Sequence, residues 1–475
     1  MFYNYIDIEK GGQMVVADKP EKKWFFLIIL LSLSLTAWGQ TKRIRPDTEH
    51  VVFKAKRLIN PGTGKTTDNV MIEVNSGRIL RVTSADNFQA KEGVPVFDLS
   101  TKYVIPGLID THGHLYGGLT TRHTTCDMHA AFYLASGVTT VRSPGSMEPE
   151  GDLGLQNRIN SGRFIGPRYF HSGPYVEGDP VTVAWMNPVV TPEEVRLKID
   201  QLLRNGATSV KIYAGMKGEV LRTAIAHGHA HGVKVIGHIG AVSYKEAMGM
   251  GIDELFHGIL AMPDVVPEDL TPTDYKKVMQ YLSAIDVTSP EMNEIVCLAA
   301  QYRVVITPTA GVFEPMEMER NHMAEQQAYF TPKAWEILLK RIEKPMFPEA
   351  GAILEKNKEF IRLAHEAGCI LTTGTDQVGF GMLPGFALWR EMEIFAEAGL
   401  EPMDVLKAAT INGAQAIGWS DLLGAVEPGK LADFVVLDAN PLENISHVRM
   451  VHKVIKGGVV YEPESLLRPL LGKYH

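Results

Sequence analysis

Short runs of mostly apolar residues, each of strand length, occupy both ends of the chain. Near the N-terminal end these runs cover residues 51–55, 69–74 and 78–82, and near the C-terminal end they cover residues 432–437, 451–455 and 459–461. The Asn75-Ser76-Gly77 and Gly457-Gly458 segments between neighbouring runs are typical of hairpin turns. We therefore predict one small β-sandwich domain built from both chain ends, residues 50–102 and 424–465.

Between these ends, apolar runs of strand length alternate with amphipathic helical segments. One helix begins at Thr191, where a threonine N-cap is followed by proline and then by Glu194, which completes a capping box. Further strand-like runs cover residues 209–213, 233–238 and 252–257. Such alternation predicts parallel strands joined by crossover helices.

The inserted region, residues 103–423, has room for eight such strand–helix units, which favours a closed barrel over an open sheet. Its first strand is predicted over residues 103–110, and Pro106 indicates a bulge there because proline cannot donate to a strand ladder. The predicted fold class is therefore α/β: a (β/α)8 TIM barrel with the small β-sandwich domain attached.

The first part of the chain, residues 1–39, carries the pattern of an export signal. Lys22 and Lys23 precede an uninterrupted apolar run over residues 24–31, which is short for a membrane span. We therefore expect residues 1–39 to be a signal peptide with an N-terminal extension, and the mature protein to be exported, to the periplasm or outside the cell. An uncleaved signal anchor is the alternative.

Small residues mark the expected end of this signal. Ala37 and Gly39 form a cleavage signature, so Gln40 is expected to begin the mature chain, which would then have no stable membrane span. The polar stretch ahead of the apolar run leaves open whether Met1 or Met14 is the true start.

Composition narrows the class of function. Hydrophobic residues make up 45% and charged residues 21% of the chain, a globular balance that excludes disordered and coiled-coil classes. The net charge of −8, without a Lys/Arg cluster, argues against nucleic acid as a partner. Cys126, Cys297 and Cys369 form no CxxC pair, so neither a thiolate metal site nor a disulfide framework is predicted.

Side chains suited to metal binding stand at the ends of several predicted strands. His112 and His114 follow an apolar run, and alternate residues of an extended segment point to the same side, so their imidazoles are expected to point together. His238 and His257 each close a strand, one strand–helix unit apart, and Asp376 ends another strand. Barrel enzymes build their sites at strand ends on one face, and imidazoles with carboxylates suit zinc and related metals.

Lys211 joins this set because it lies within an apolar strand, where a lone ammonium group is costly. Taken singly, a strand-end histidine is more often structural than a ligand, and an HxH pair is evenly balanced between the two roles. Six suitable residues at successive strand ends of one chain reverse those odds. The sequence therefore predicts a metal centre.

The remaining histidines are predicted to be structural or exposed to solvent. A tract of three resembles a metal site, but it falls on a predicted helix, where only His227 and His231 share a face and His229 does not. Three others have no candidate partner in the sequence, namely His123, His129 and His171.

Several longer motifs run through the same region. They are VIPGLIDTHGH at residues 104–114, SGVTTVR at 136–142, VKI around Lys211, GH at His238, FHG at His257, TGTD at 373–376, AGLEP at 398–402, AATINGA at 408–414 and EPGKLAD at 427–433. Together, over residues 50–462, they resemble the amidohydrolase superfamily, and most of all its imidazolonepropionase-like and Xaa-Pro-dipeptidase-like branch. Phe256 departs from the pattern, because many relatives have Glu before the histidine.

The resemblance implies a role for each strand-end residue. One divalent metal ion would be held by His112, His114 and Asp376, and a second by His238 and His257. The implied cofactors are therefore two divalent ions, expected to be zinc, with a metal-bridging hydroxide as the attacking group.

The resemblance also implies that Lys211 is carboxylated by CO2, as a lysine carbamate that bridges both metals. An ammonium group beside two dications is repelled, so the pKa of this lysine would fall and its neutral amine could take up CO2. Asp376 would be the catalytic residue that accepts a proton from the attacking group and passes it to the leaving nitrogen.

Three side chains are candidates for substrate binding. Arg142, at the end of a predicted strand, offers a fork for a carboxylate, and Tyr116 and Tyr213 offer walls for a pocket. For each of them a packing role is an equal alternative. The amphipathic stretch over residues 313–365 is either a lid that contacts the substrate or a decorated crossover helix.

The function that the resemblance favours is hydrolysis of an amide or peptide C–N bond in a small substrate, such as a dipeptide or an N-acyl amino acid. Deamination, or lactone or ester hydrolysis on the same metal site, is the first alternative. A non-catalytic barrel scaffold is the second, and the presence of all six expected ligands argues against it. The expected partner is a small molecule, and a homo-oligomer is left open.

Overall fold

The computed structural model describes residues 50–89, 91–115, 126–146, 148–181, 188–267, 270, 275–316, 320–343, 348–376 and 382–474. The predicted signal peptide lies outside these residues. Among the helices that are described, none is both long and apolar enough to cross a membrane.

The described strands form three sheets. The seven-stranded sheet contains β1 (His50–Asn60), β2 (Lys65–Asn75), β3 (Arg78–Ser84), β4 (Val96–Pro106), β13 (Phe434–Leu437), β14 (Val451–Lys456) and β15 (Val459–Tyr461). The three-stranded sheet contains β5 (Leu108–Asp110), β6 (Val138–Ser143) and β7 (Arg168–His171). The five-stranded sheet contains β8 (Ser209–Ile212), β9 (Lys234–Gly237), β10 (Glu254–Phe256), β11 (Val305–Thr307) and β12 (Ile370–Leu371).

Helices connect most of these strands. In chain order they are α1 (Cys126–Ala135), α2 (Pro149–Asn160), α3 (Pro192–Arg204), α4 (Gly218–Ala230), α5 (Tyr244–Met250), α6 (Tyr275–Ser283), α7 (Pro290–Tyr302), α8 (Arg320–Gln327), α9 (Pro332–Glu343), α10 (Ala350–Glu366), α11 (Phe386–Glu397), α12 (Pro402–Lys407), α13 (Gly413–Ala416) and α14 (Pro463–Leu467). The capping box predicted at Thr191 is present at the start of α3, where its hydroxyl accepts the N–H of Glu194 at 3.2 Å.

The seven-stranded sheet is assembled from both ends of the chain. β4 lies at its centre, parallel to β1 and antiparallel to β13. It is one mixed sheet, and it curls until Arg78 of β3 forms a bridge with Leu431, just ahead of β13. The sheet buries its own apolar cluster, in which Phe53 of β1 packs edge-on against Phe434 of β13 with ring centroids 5.2 Å apart.

The strand predicted over residues 103–110 is divided between two sheets. Residues up to Pro106 belong to β4, and β5 begins only after Gly107. The Gly107 N–H donates to the carbonyl oxygen of Asp433 at 3.0 Å, and a Cβ at this position would lie 2.1 Å from Thr139 Oγ1. The chain therefore crosses between sheets where only glycine fits, and Pro106 marks this crossing instead of a bulge.

The strands from β5 to β12 run parallel to their neighbours and follow one another in chain order. Backbone contacts link the edges of the two sheets that they form. Val176, which follows β7, forms a parallel bridge with Ile212 of β8. Thr111, which follows β5, donates its N–H to the carbonyl oxygen of Thr373, which follows β12, at 3.1 Å. The three-stranded sheet is thereby linked to both edges of the five-stranded sheet.

The stretch over residues 313–365 contains α8, α9 and most of α10. Of these helices, α10 leads directly into β12, so α10 is a crossover helix. The segment between α8 and α9 is tied to the end of the chain: Tyr474 donates its N–H to the carbonyl oxygen of Tyr329, and Thr331 donates its N–H to that of Tyr474, both at 2.8 Å. A contact between this stretch and substrate stays a prediction.

Candidate metal centre

The six predicted ligand residues stand at one end of the parallel strands. Two follow β5 (His112 and His114), one lies in β8 (Lys211), one follows β9 (His238), one follows β10 (His257) and one lies in the loop after β12 (Asp376). The carboxyl ends of neighbouring parallel strands meet at the same edge, which brings these side chains into one region.

Asp376 lies between the histidines. Its Oδ1 is 3.1 Å from His114 Nε2 and 3.4 Å from His112 Nε2. Its Oδ2 faces the other way and is 3.8 Å from His257 Nδ1. One ligand atom each from His112, His257 and Asp376 can be chosen so that all three lie within 4.8 Å of one another. The two oxygens of this carboxylate therefore face different histidines: Oδ1 faces His112 and His114, and Oδ2 faces His257.

His238 joins the cluster through His257, because their ring centroids are 4.6 Å apart. The ring of His257 is also 4.9 Å from that of His112. His257 Nδ1 lies 2.9 Å from Thr309 Oγ1, within hydrogen-bonding distance. If Nδ1 carries the proton of that bond, the Nε2 lone pair remains available to a metal, and Thr309 fixes the direction of the ring.

Left-handed backbone conformations set the direction of two of these side chains. The φ angle is +72° at His257 and +46° at Asp376, and it is +48° at Thr309. Such angles cost residues other than glycine about 1–3 kcal/mol each and persist only where the surroundings impose them. Here Asp376 donates its N–H to the His112 carbonyl oxygen at 2.7 Å, and His257 donates its N–H to that of Thr307 at 2.9 Å.

Asp110 fastens together the two loops that carry His112 and Asp376. One of its oxygens accepts the N–H groups of His112 at 3.0 Å and Thr375 at 3.2 Å. The other accepts the hydroxyls of Thr375 at 2.7 Å and Tyr133 at 3.2 Å. Burial raises the pKa of the Asp110 carboxyl, and these hydrogen bonds oppose the rise. Asp110 therefore holds the loops of His112 and Asp376 in position without being one of the predicted ligands.

Lys211 is buried, and its Nζ has no hydrogen-bond partner among the described residues. The nitrogen lies 3.7 Å from the centroid of the Phe256 ring. Burial lowers the pKa of Lys211 well below its ordinary value; the carboxylate of Asp376 opposes this, and the charge of Arg142 adds to it. The site therefore favours the neutral amine.

Arg142 is also buried, but its guanidinium has acceptors. Its Nη2 donates to Glu254 Oε1 at 2.6 Å, and its Nε donates to the Thr111 carbonyl oxygen at 2.8 Å. Glu254 Oε1 also accepts the hydroxyl of Thr307 at 2.6 Å. These bonds brace the β5 and β10 ends beside His112 and His257. Of the two roles considered from the sequence, the structure favours packing over a grip on substrate.

Tyr213 and Tyr116 are the two tyrosines that were predicted to line a pocket. Tyr213 follows β8, and its ring centroid is 4.8 Å from that of His238 and 4.9 Å from that of Tyr175. It therefore borders the centre, and its contact with substrate stays a prediction. Tyr116 lies outside the described residues.

Burial keeps three of the imidazoles neutral, those of His112, His238 and His257. It lowers the pKa of His112 to about 3, and it lowers the pKa values of His238 and His257 well below the ordinary histidine value. Burial alone would raise the pKa of Asp376, but the hydrogen bonds from His112 and His114 hold it well below its ordinary value. Neutral imidazoles and an ionised carboxylate are the forms that bind metals.

The donor set fits a divalent metal ion. His112 Nδ1 and Lys211 Nζ are buried polar atoms without a hydrogen-bond partner in the described part of the chain, and such atoms are costly to leave unpaired. Imidazole nitrogens and carboxylate oxygens converging from several strands are typical ligands of zinc.

Sequence analysis gave no role to Asp110, Glu254 or Thr309. The first two carried a signal, because each is an acidic residue within an apolar strand and is fully buried. Thr309 carried none, since its contact with His257 joins residues 52 positions apart.

Comparisons with known proteins converge on one family. A model described as "Amidohydrolase family" matches residues 290–461. The imidazolonepropionase of Geobacillus kaustophilus (strain HTA426) is 24% identical to this chain over 442 residues, which cover 83% of this chain and 90% of that protein.

Solved structures share the fold. A Xaa-Pro dipeptidase with methionine bound in the active site has a TM-score of 0.66 at 23% identity, and the match covers 87% of this chain and 100% of that chain. A bottromycin amidohydrolase has a TM-score of 0.69 at 22% identity, with 89% of each chain covered. With the motifs at the strand ends, these findings support the amidohydrolase superfamily, in its imidazolonepropionase-like branch, and a hydrolase of that family.

Proposed function

We propose that this hydrolase is metal-dependent and cleaves an amide or peptide C–N bond in a small substrate, such as a dipeptide or an N-acyl amino acid. The position of Asp376 carries the proposal, because its two oxygens face His112 and His114 on one side and His257 on the other. The names of two relatives, an imidazolonepropionase and a Xaa-Pro dipeptidase, support this class of reaction.

The proposed scaffold is a closed (β/α)8 barrel with the curled seven-stranded sheet as its β-sandwich domain. The bridge between Val176 and Ile212 and the hydrogen bond from Thr111 to Thr373 support closure. We also include export after removal of residues 1–39, which the mass of the exported protein would test.

The proposed cofactors are two zinc ions. His112, His114 and Asp376 would hold one, and His238 and His257 would hold the other. When bound, such ions polarise a substrate carbonyl and lower the pKa of water.

Lys211 would supply the ligand shared by both ions. Its neutral amine nitrogen forms a bond to the carbon of CO2 and loses one proton, which leaves a carbamate anion with two oxygens. The buried Nζ without a hydrogen-bond partner and the lowered pKa of this amine support the proposal.

Asp376 would move the proton of the reaction. As an ionised carboxylate it accepts a proton from water while the water oxygen bonds to the substrate carbonyl carbon. When the C–N bond breaks, the same carboxyl gives that proton to the leaving nitrogen. Asp376 Oδ1 lies within 3.4 Å of the Nε2 atoms of His112 and His114, which supports a position of this carboxylate beside the same ion.

A reconstitution experiment tests the proposal. Metal-depleted protein is reloaded with zinc in bicarbonate buffer and assayed for amine release from Xaa-Pro dipeptides, other dipeptides and N-acyl amino acids, and for ring opening of 4-imidazolone-5-propanoate. We expect turnover of at least one class to require zinc and to disappear with a chelator. Ammonia release from an amino-substituted ring, with none of these substrates cleaved, would replace hydrolysis with deamination.

Two histidine variants provide the matched comparison. His257→Gln removes a predicted ligand, so zinc content and turnover should fall together. His129→Gln removes a buried imidazole from α1, where it lies 3.3 Å from the hydroxyl of Tyr474, and should retain both. Equal zinc content in the two variants would contradict the assignment of His257.

A further inference from the structure

A second histidine–aspartate cluster lies on two outer helices. His227 is in the last turn of α4, His231 follows that helix by one residue, and Asp200 projects from α3. One ligand atom from each of the three lies within 4.8 Å of the others. From the sequence these histidines were predicted to be structural or exposed, because they fall on a predicted helix where only His227 and His231 share a face.

The distances suit a small cation. Asp200 Oδ1 lies 2.7 Å from His227 Nε2 and 3.8 Å from His231 Nε2. In a tetrahedral zinc site with ligand bonds of about 2.0–2.2 Å, neighbouring ligand atoms are on the order of 3.3 Å apart. The two separations bracket that value, so small side-chain rotations would bring all three atoms to bonding distance.

A backbone contact sets the tautomer of His231. Its Nδ1 lies 2.9 Å from the carbonyl oxygen of His227. Since a carbonyl only accepts, Nδ1 carries the proton and the Nε2 lone pair is left on the side of Asp200. A hydrogen bond from the other ring nitrogen to a backbone carbonyl is the usual support of a metal-binding histidine.

The local charge also favours a cation. Both histidines stand at the C-terminal end of α4, where the helix dipole is negative. The His231 side chain is 44% exposed, which leaves a coordination position open to water.

We infer that Asp200, His227 and His231 form a zinc-binding site that is separate from the strand-end centre. By the strand-end centre we mean the cluster of His112, His114, Lys211, His238, His257 and Asp376. Two imidazoles one helical turn apart and a carboxylate from the neighbouring helix supply three ligands, and water supplies the fourth. Bound zinc ties α4 to α3 on the outside of the molecule. The inference does not depend on the proposed hydrolase activity.

His229 provides the matched control. It lies on the same helix, its side chain is also 44% exposed, and its Nε2 is 2.8 Å from Asp253 Oδ2. That carboxylate oxygen already accepts the N–H of Val235 at 2.8 Å, and its partner oxygen accepts Lys234 Nζ at 3.2 Å. Among the residues that the structure describes, His229 has one carboxylate and no second imidazole beside it, so it does not meet the three-ligand requirement.

The test measures zinc on the holoprotein. Wild type, His227→Gln/His231→Gln and His229→Gln are equilibrated with buffered free zinc at micromolar concentration, and bound zinc per chain and melting temperature are recorded. We expect the double variant to bind one zinc ion fewer than wild type and to lose the zinc-dependent rise in melting temperature. His229→Gln should match wild type in both.

Other outcomes overturn the inference. Equal zinc content in wild type and the double variant removes the site, and loss of the ion in His229→Gln rejects the ligand set. If the double variant does not fold, Asp200→Asn gives the same readout, with its zinc-free melting temperature as the folding check. Lys211→Ala should keep the outer zinc ion, which separates this test from the strand-end centre.

Discussion

The strand-end centre and the α3–α4 cluster, which consists of Asp200, His227 and His231, contain the same residue types in different surroundings. The side chains of His112 and His257 are 3% and 6% exposed, whereas those of His227 and His231 are 20% and 44% exposed. In the first cluster the ligands come from the ends of several strands. In the second, two of the three come from one helix at a spacing of four residues.

The two clusters differ in their chemistry because one is buried and the other is exposed to solvent. Burial lowers the pKa values of His112 and His257, and strained backbone at His257 and Asp376 is held by neighbouring chain. Charges in such a dry, fixed site act strongly on a reacting group, while those of an exposed cluster are screened by water. The same ligands therefore suit catalysis in one place and static metal binding in the other.

The largest effect is expected for Lys211→Ala. It removes the one residue proposed to touch both ions, so the zinc content of the strand-end centre should fall. Turnover should fall with it, by more than the roughly 10⁴-fold limit of a single acid–base group. Short-chain carboxylic acids should restore part of both. Lys234→Ala, in the neighbouring strand β9, is the control, because Lys234 Nζ has Asp253 as its partner at 3.2 Å. Full zinc content in Lys211→Ala would remove its bridging role.

Asp376→Asn should have the next largest effect. The amide keeps the shape and one oxygen but cannot accept a proton, so turnover should drop by about 10²–10⁴-fold, the range for loss of a general base. Zinc content should largely survive, which distinguishes this variant from Lys211→Ala. Steady-state kinetics with metal analysis on the same samples make the measurement. Near-normal turnover would mean that another group moves the proton.

Arg142→Met tests the buried ion pair between Arg142 and Glu254 beside the strand-end centre. It leaves the Glu254 carboxylate buried without its cation, and breaking a buried ion pair costs about 3–5 kcal/mol of unfolding free energy. Urea unfolding of the metal-free protein measures the loss. Arg57→Met, which breaks the exposed pair with Asp68, is the control and should change stability far less. Equal losses would show that the buried pair contributes no more than the exposed one.

The smallest effect is expected for Thr309→Val, which keeps the shape of the side chain but removes the hydroxyl beside His257 Nδ1. Loss of such a supporting hydrogen bond weakens metal binding by about 10–100-fold. Competition with a zinc chelator measures the affinity, and Thr309→Ser, which keeps the hydroxyl, should stay close to wild type. An unchanged affinity in Thr309→Val would show that the ring of His257 is held by packing alone.

Local signals account for the parts of the fold that sequence analysis predicted. The N-cap at Thr191, the turn at Ser76-Gly77 and the strands of both chain ends depend on residues next to one another. The division at Gly107 was missed because the apolar pattern continues through it from β4 into β5. What separates the two strands is the contact with Thr139 and Asp433, which are far away in the chain.

By itself the sequence determined that strands alternate with helices, that one helix begins at Thr191, and that imidazoles and a carboxylate stand at strand ends, because periodicity and capping act within a few residues. Only the tertiary structure decided which partners these side chains meet. The α3–α4 contact brings Asp200 to His227 across 27 positions, and packing of the strands gives Arg142 the carboxylate of Glu254, 112 positions away. Pairings over such distances depend on how whole elements pack, and no local pattern encodes them.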